Sequence, residues 1–305
     1  MAVDSSRAVA TLRGLTAKFD AGAQAATPFY PTLCTTVPSN GADEQYGWLG
    51  GMPGMREWLG ERQFQSLRAG HFTLANKEWE NSVAILKNDI DDDRLGMYGP
   101  TLEELGKKAA RHPDKLLLQL IEAGESTACF DGQYFFDTDH SWGDSGTQDN
   151  DLTYAAATGT TPTTAEFKAA FRASVSAILG FKDDQGQLYN GDAVVRLSDL
   201  TLVVPLALRE TAFDAFDSTI LSSSSNVVIE RPNIVCLPSL ASAAKMYTFY
   251  NGGTLKPFVF QARRPLARQM KGMDDREFKD VKFMTDARYN MGYLAWWNAV
   301  LTTFT

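Results

Sequence analysis

MREWLGERQFQSLRAGHFTLANKEWENSVAILK, residues 55–87, is the stretch on which the reading of the chain turns. Its second half alternates: Phe72 and Leu74, then Trp79, Val83 and Ile85, fall on matching parities with polar residues between them. That is the period of a β-strand with one covered face. The first half, Glu61 to Leu67, carries long polar side chains and alternates less cleanly. Arg68-Ala69-Gly70 between the halves reads as a turn. The expectation is a long β-hairpin with charges of both signs. A two-stranded hairpin is marginal in water. The tryptophans and phenylalanine along this one need a cover. Either the rest of the chain supplies it or another copy does.

The chain has 305 residues, 44% hydrophobic and 22% charged, with a formal net charge of -8. Such a composition builds a real core. It disfavours tight, sequence-specific DNA binding, which needs concentrated Lys and Arg. Cys34, Cys129 and Cys236 are far apart and in no CxxC pair, so neither a disulfide framework nor a zinc site is expected. The first residues lack an apolar run of signal-peptide length, and no run reaches the ~18 apolar residues of a membrane span. Synthesis in the cytoplasm is expected.

Outside the hairpin the sequence alternates between helical and strand textures. Val9, Leu12, Leu15 and Phe19 predict a short amphipathic helix over 5–19, followed by an Ala/Thr/Pro/Ser-rich stretch to Asn40 that orders on other surfaces. Pro100, Glu103 and Glu104 mark the start of a long helix over about 100–124, kinked or divided at His112-Pro113, with Asp114 capping its continuation. Thr163 or Thr164 caps a helix over 164–179 with Phe167, Phe171, Val175 and Ile178 as its buried stripe. Leu200 to Val204 reads as a buried strand, and Pro205 opens a helix with Leu208, Ala212 and Phe216. Further strands are expected at 227–229, 234–237, 280–284 and 288–300. Asn251-Gly252-Gly253 reads as a hairpin turn between 247–250 and 255–260. The aromatic C-terminal segment is expected to close the sheet of the first lobe.

The most enzyme-like cluster is Asp137-Thr138-Asp139-His140, whose side chains can ligate a metal or pair an acid with a base. A metal-dependent hydrolase using Asp137, Asp139 and His140 is the alternative function this cluster raises. No second cluster completes it, and phosphate-loop, dinucleotide and nucleophile-elbow motifs are absent from the sequence. A sound core without an evident active site, joined to an arm and a hairpin that need cover, favours a homo-oligomeric structural protein.

Several long segments resemble the Mu-like phage major head subunits: Glu44-Gln45-Tyr46-Gly47-Trp48-Leu49-Gly50, Pro53-Gly54-Met55-Arg56-Glu57-Trp58, Ile90-Asp91-Asp92-Asp93, the run from Asp131 to His140, and Asp286 to Gly292. The resemblance implies an α+β fold of the HK97 capsid type. It would comprise an N-terminal arm (1–45), an extended loop (46–88), a peripheral domain with a long spine helix (89–159 and 271–305) and an axial domain (160–270). It also implies a major capsid protein, not an enzyme, with no cofactor and no catalytic or metal residues. Such a protein assembles with itself, as hexamers and pentamers, into an icosahedral shell that encloses double-stranded DNA without reading its sequence. The subunits would be made in the host cytoplasm and end in the virion. A portal, a decoration protein and a scaffold protein are the implied partners; the short run ahead of the loop makes a separate scaffold the expectation. No membrane is involved. Trp48, Arg56, Glu57, Trp58, Arg62, Phe64, Lys77, Glu78 and Trp79 on the extended loop are the expected contacts to a neighbouring subunit, aromatics giving area and charges giving register.

Overall fold

A computed structural model describes residues 5–49, 69–91, 96–191, 194–216, 220–221, 224–225, 231–271 and 280–305. The chain begins with helices α1 (Ser5–Ala25) and α2 (Tyr30–Leu33) and strands β1 (Cys34–Pro38), β2 (Asp43–Leu49), β3 (Ala69–Ala75) and β4 (Lys77–Leu86). It continues with α3 (Lys87–Asp91), α4 (Tyr98–Ala123), β5 (Asp151–Tyr154), α5 (Thr164–Gly180), β6 (Leu200–Val204) and α6 (Arg209–Phe216). The remainder is β7 (Ile220–Leu221), β8 (Ser224–Ser225), β9 (Asn233–Cys236), β10 (Lys245–Tyr250), β11 (Phe258–Lys271), β12 (Asp280–Tyr293) and β13 (Ala299–Phe304). Two main sheets result. One has the order β1-β11-β12-β4, the other β5-β13-β10-β6-β9; β2-β3 and β7-β8 are separate pairs.

The long helix α4 organises the first sheet. It runs unbroken through Pro113, although proline leaves the carbonyl four residues back without its donor. Pro113 is buried, and the apolar stripe Leu102, Leu117 and Ile121 packs beneath the helix. That packing offsets the roughly 3 kcal/mol cost of an interior proline. Asp114 does not cap a second helix; its Oδ1 accepts the backbone N–H groups of Phe29 and Tyr30 at 2.9 and 2.8 Å.

The N-terminal arm lies on its own chain. Helix α1 extends past Phe19 to Ala25 and crosses α4 where both helices carry glycine. A Cβ on Gly22 would stand 2.0 Å from the Glu103 carbonyl oxygen, and one on Gly106 would stand 2.2 Å from that of Phe19. Leu15 and Phe19 are thereby set into a small core with Leu102, Ile85, Val281 and Phe283. After α2, β1 pairs in parallel with β11, Cys34 opposite Phe258.

Sheet membership departs from the sequence reading in three places. β10 and β11 do not form a hairpin: β10 lies between β13 and β6, and β11 crosses to the other sheet. Asn251 instead leaves the sheet by donating its N–H to the Asp199 carbonyl and its side-chain amide to Thr201. Residues 280–293 are one strand, β12, paired with β11 and β4. β13 closes the five-stranded sheet, pairing with β10 and β5, rather than the first lobe. The register between β11 and β12 slips around Pro265, where a strand proline has no N–H to give. The expected strand at 227–229 falls outside the described residues, among which no helix is long and apolar enough to cross a membrane.

Candidate subunit-contact surface

The hairpin exists with different arms. β2 pairs antiparallel with β3 from Asp43 opposite Ala75 to Leu49 opposite Ala69. Ala69 and Gly70 lie within this ladder, opposite Leu49 and Trp48, and are strand rather than turn; Arg68 and 61–67 lie outside the described residues. On one face Tyr46 stacks on Phe72, ring centroids 5.0 Å apart at 17°. The base of the pair is stitched to the body. The Tyr46 hydroxyl donates to Gln261 Oε1 at 3.0 Å, and the Gln261 amide donates to the Leu74 carbonyl and to Asn76 Oδ1. The Glu44 carboxylate accepts the N–H groups of Asn40 and Gly41 and the Ser39 hydroxyl. Those bonds, led by the one from Asn40, hold its carboxyl below the ordinary range.

Of the nine expected contact residues, Arg56, Glu57, Trp58, Arg62 and Phe64 lie outside the described residues. The Trp48 backbone is in β2, while its side chain is outside the description. Lys77, Glu78 and Trp79 are not on the hairpin. They begin β4, opposite Tyr289, Arg288 and Ala287 of β12. Trp79 is half-buried against its own chain: its indole N–H donates to the Tyr289 carbonyl at 3.0 Å, and its ring lies 4.5 Å from that of His112. His112 Nδ1 in turn meets the Tyr289 hydroxyl at 2.8 Å. The correction has a physical cause. Alternation marks β4 as a strand with one covered face, but period alone does not name the partner strand, and the long β12 offers a ladder of ten paired positions. The β2–β3 part of the expected loop ends at Ala75, and Tyr46, Phe72 and Leu74 within it pack on the chain's own core.

Asp137 and Asp139 face each other, but the Asp137/Asp139/His140 trio does not converge, because His140 turns to Asp131. The Asp137 carboxylate caps its own turn, accepting the N–H groups of Tyr134 and Thr138. Asp139 is exposed. His140 is fully buried, stacked on Trp296 at 3.8 Å and 4°. Its Nδ1 meets Asp131 Oδ2 at 2.7 Å, and the Cys129 thiol donates to Asp131 Oδ1 at 2.9 Å. Burial alone would push the Asp131 carboxyl up; the bonds from His140 and Cys129 and the charge of His140 outweigh it and hold the group low. Burial, with Asp131 beside it, pushes the Cys129 thiol up, so it stays a protonated donor. These three side chains lie close enough to offer ligand atoms to an ion. Each is instead used in the hydrogen-bonded chain Cys129–Asp131–His140, which ties the 129–140 turn to the core. Asn150, also fully buried, completes that tie: its amide donates to the carbonyls of Phe135 and Ala299 and its oxygen accepts from Asp137. Sequence spacing does not single out Asp131 as the partner of His140, because the two stand nine residues apart and Asp137 and Asp139 lie nearer in the chain.

The arrangement of helix, two sheets, paired strands and arm is a fold found in phage capsids. The structure aligns with the procapsid of bacteriophage JBD30 over 97% of this chain and 74% of the other, with a TM-score of 0.56 and 24% identity, and with the JBD30 capsid over 92% and 65%, with a TM-score of 0.53 and 22% identity. The HK97-type α+β fold expected from the sequence is the one found. Residues 9–167 match the family described as Mu-like prophage major head subunit gpT, and the chain belongs to that family. A Mu-like prophage FluMu major head subunit of Haemophilus influenzae is 43% identical over 130 residues, 43% of this chain and 42% of the relative. The major capsid protein of Escherichia phage Mu is 39% identical over 122 residues, 40% of each. The matched stretch thus spans about two-fifths of the length of these curated relatives.

Proposed function

We propose that this chain is the major capsid protein of a tailed bacteriophage, assembling with copies of itself into the head shell that encloses double-stranded DNA. The observation that carries the reading is the family match across residues 9–167, which includes the hairpin and the spine helix α4. In this reading β2, β3 and the segment between them form the extended loop, whose 50–68 segment reaches across a neighbouring subunit. Trp48, Arg56, Glu57, Trp58, Arg62 and Phe64 supply its contacts. Lys77, Glu78 and Trp79 belong to the surface that stays with the body. Copies are arranged as hexamers and pentamers; a scaffold, a portal and a decoration protein are further partners. The subunits assemble in the host cytoplasm.

The test is expression of the full chain, alone and with its genomic neighbours, followed by sedimentation and electron microscopy. Closed shells are the expected product. A chain that stays monomeric in every combination, or that forms only open tubes or rings, contradicts the reading.

A further inference from the structure

Between the outer side of α4 and strands β4, β11 and β12 runs an open groove of about 420 Å³. That lies within the size range of ligand and peptide pockets. On its sheet side the half-buried Trp79 opens onto it over the buried Ala287 and Tyr289, beside Asn81 and Thr285, and Leu266 stands 38% exposed at its margin. Its helix wall is cationic. Lys108, Arg111 and Lys115 are exposed, and their spacing of three and four residues sets them on one helix face. None of the three is in an ion pair among the described residues, whereas Lys107 on the same wall is paired with Glu103. The carboxylates lining the groove are Glu80 and Glu104. Burial, then the charge of Lys115, pulls the His112 pKa down, so its ring adds to the neutral floor at pH 7. A chain of net charge -8 thus carries a local cationic strip beside the partly exposed Trp79 and Leu266.

We propose that this groove docks an extended, acidic segment of another protein chain bearing leucine or phenylalanine at alternate positions. The match is geometric as well as electrostatic. Along an extended chain successive side chains point to opposite sides. One set then covers Trp79 and Leu266 while the other meets the cations. Lys108 to Lys115 spans about 10 Å of helix, the length of about three extended residues. Duplex DNA fits less well. Its phosphates would engage the cations but leave Trp79 and Leu266 uncovered. Trp79 is already flanked by His112 on one side, which limits base stacking.

The experiment is fluorescence anisotropy with the soluble full chain. Three labelled probes are titrated: a short peptide alternating Glu and Leu, its Lys/Leu counterpart, and a short DNA duplex. The Glu/Leu peptide is expected to bind saturably and more weakly as salt rises, and the Lys/Leu peptide is not. K108E/R111E/K115E and, separately, Leu266→Glu should each weaken binding by about tenfold or more with circular dichroism unchanged; single Arg111→Glu replaces the triple variant if that one misfolds. Absence of saturable binding, equal binding by Leu266→Glu, or tighter binding of the duplex overturns the proposal, the last in favour of nucleic acid. The readout precedes assembly, so it stands or falls independently of whether shells form.

Discussion

Gly22 and Gly106 permit the arm to lie directly on α4. A side chain at either position must push the helices apart, because what it would strike is backbone oxygen rather than a side chain that can swing away. Gly106→Val is therefore expected to destabilise the chain by about 1–3 kcal/mol, the usual cost of overpacking, read as a lower urea midpoint. Gly14, which has nothing within 4 Å of a built Cβ, is the control and should tolerate alanine. The buried pair Asp131 and His140 gives the molecule an acid limit. The folded-state pKa of Asp131 is depressed. Its contribution is therefore present above the unfolded carboxyl value, about 3.9, and is lost as pH falls through the lower folded value. Asp131→Asn should cost stability at pH 7 and flatten the decline at acid pH, measured by urea unfolding across that range. An unchanged acid slope would remove this pair from the explanation.

Asp151 stands at the start of β5, an edge strand beside Glu125 and Asp149. Burial first, then the charge of Glu125, raises its carboxyl to about 6. Here the sign is opposite: stability is greatest below the unfolded carboxyl value and falls as pH rises through about 6. Asp151→Asn should raise stability at pH 7.5 by about 1 kcal/mol once solvent screening of this half-exposed group is allowed for, and change little at pH 4. The element scale is also where sequence reading succeeds best. β6 was legible because five consecutive apolar or β-branched residues admit little else. α5 was legible because Thr163 and Glu166 form a reciprocal cap ahead of Phe167 and Phe171. Pairing was less legible. Asn251-Gly252-Gly253 has hairpin chemistry, yet β10 and β11 part there, because strand partners are chosen by distant segments that no local pattern records. β4 misled for the same reason: its alternation was right and its partner was wrong.

For the whole molecule, family and fold were readable from long local segments such as Asp131 to His140, while the use of those segments was not. His140 looked like half of a metal or acid–base site and is a buried hydrogen-bonding partner of Asp131. Trp79 looked like part of a protruding finger and forms the floor of a groove on the body. That relocation predicts a division of effects. Trp79→Ala should lower stability by about 1–3 kcal/mol, below the cost of truncating a fully buried tryptophan because Trp79 is half-buried, measurable on the isolated chain. Trp58→Ala should leave the unfolding midpoint unchanged and reduce the yield of shells, measured by sedimentation.

β2 and β3 are fastened to Gln261 and Asn290 and packed on the chain's own core through Tyr46, Phe72 and Leu74, and the account assigns the cover of the segment that joins them, 50–68, to a neighbouring copy. Electron cryomicroscopy of particles assembled from the full chain examines this directly. The account predicts density in which the 50–68 segment joining β2 to β3 crosses the adjacent subunit while β4 remains paired with β12 of its own chain. A map with the 50–68 segment folded back against the subunit it belongs to would contradict it.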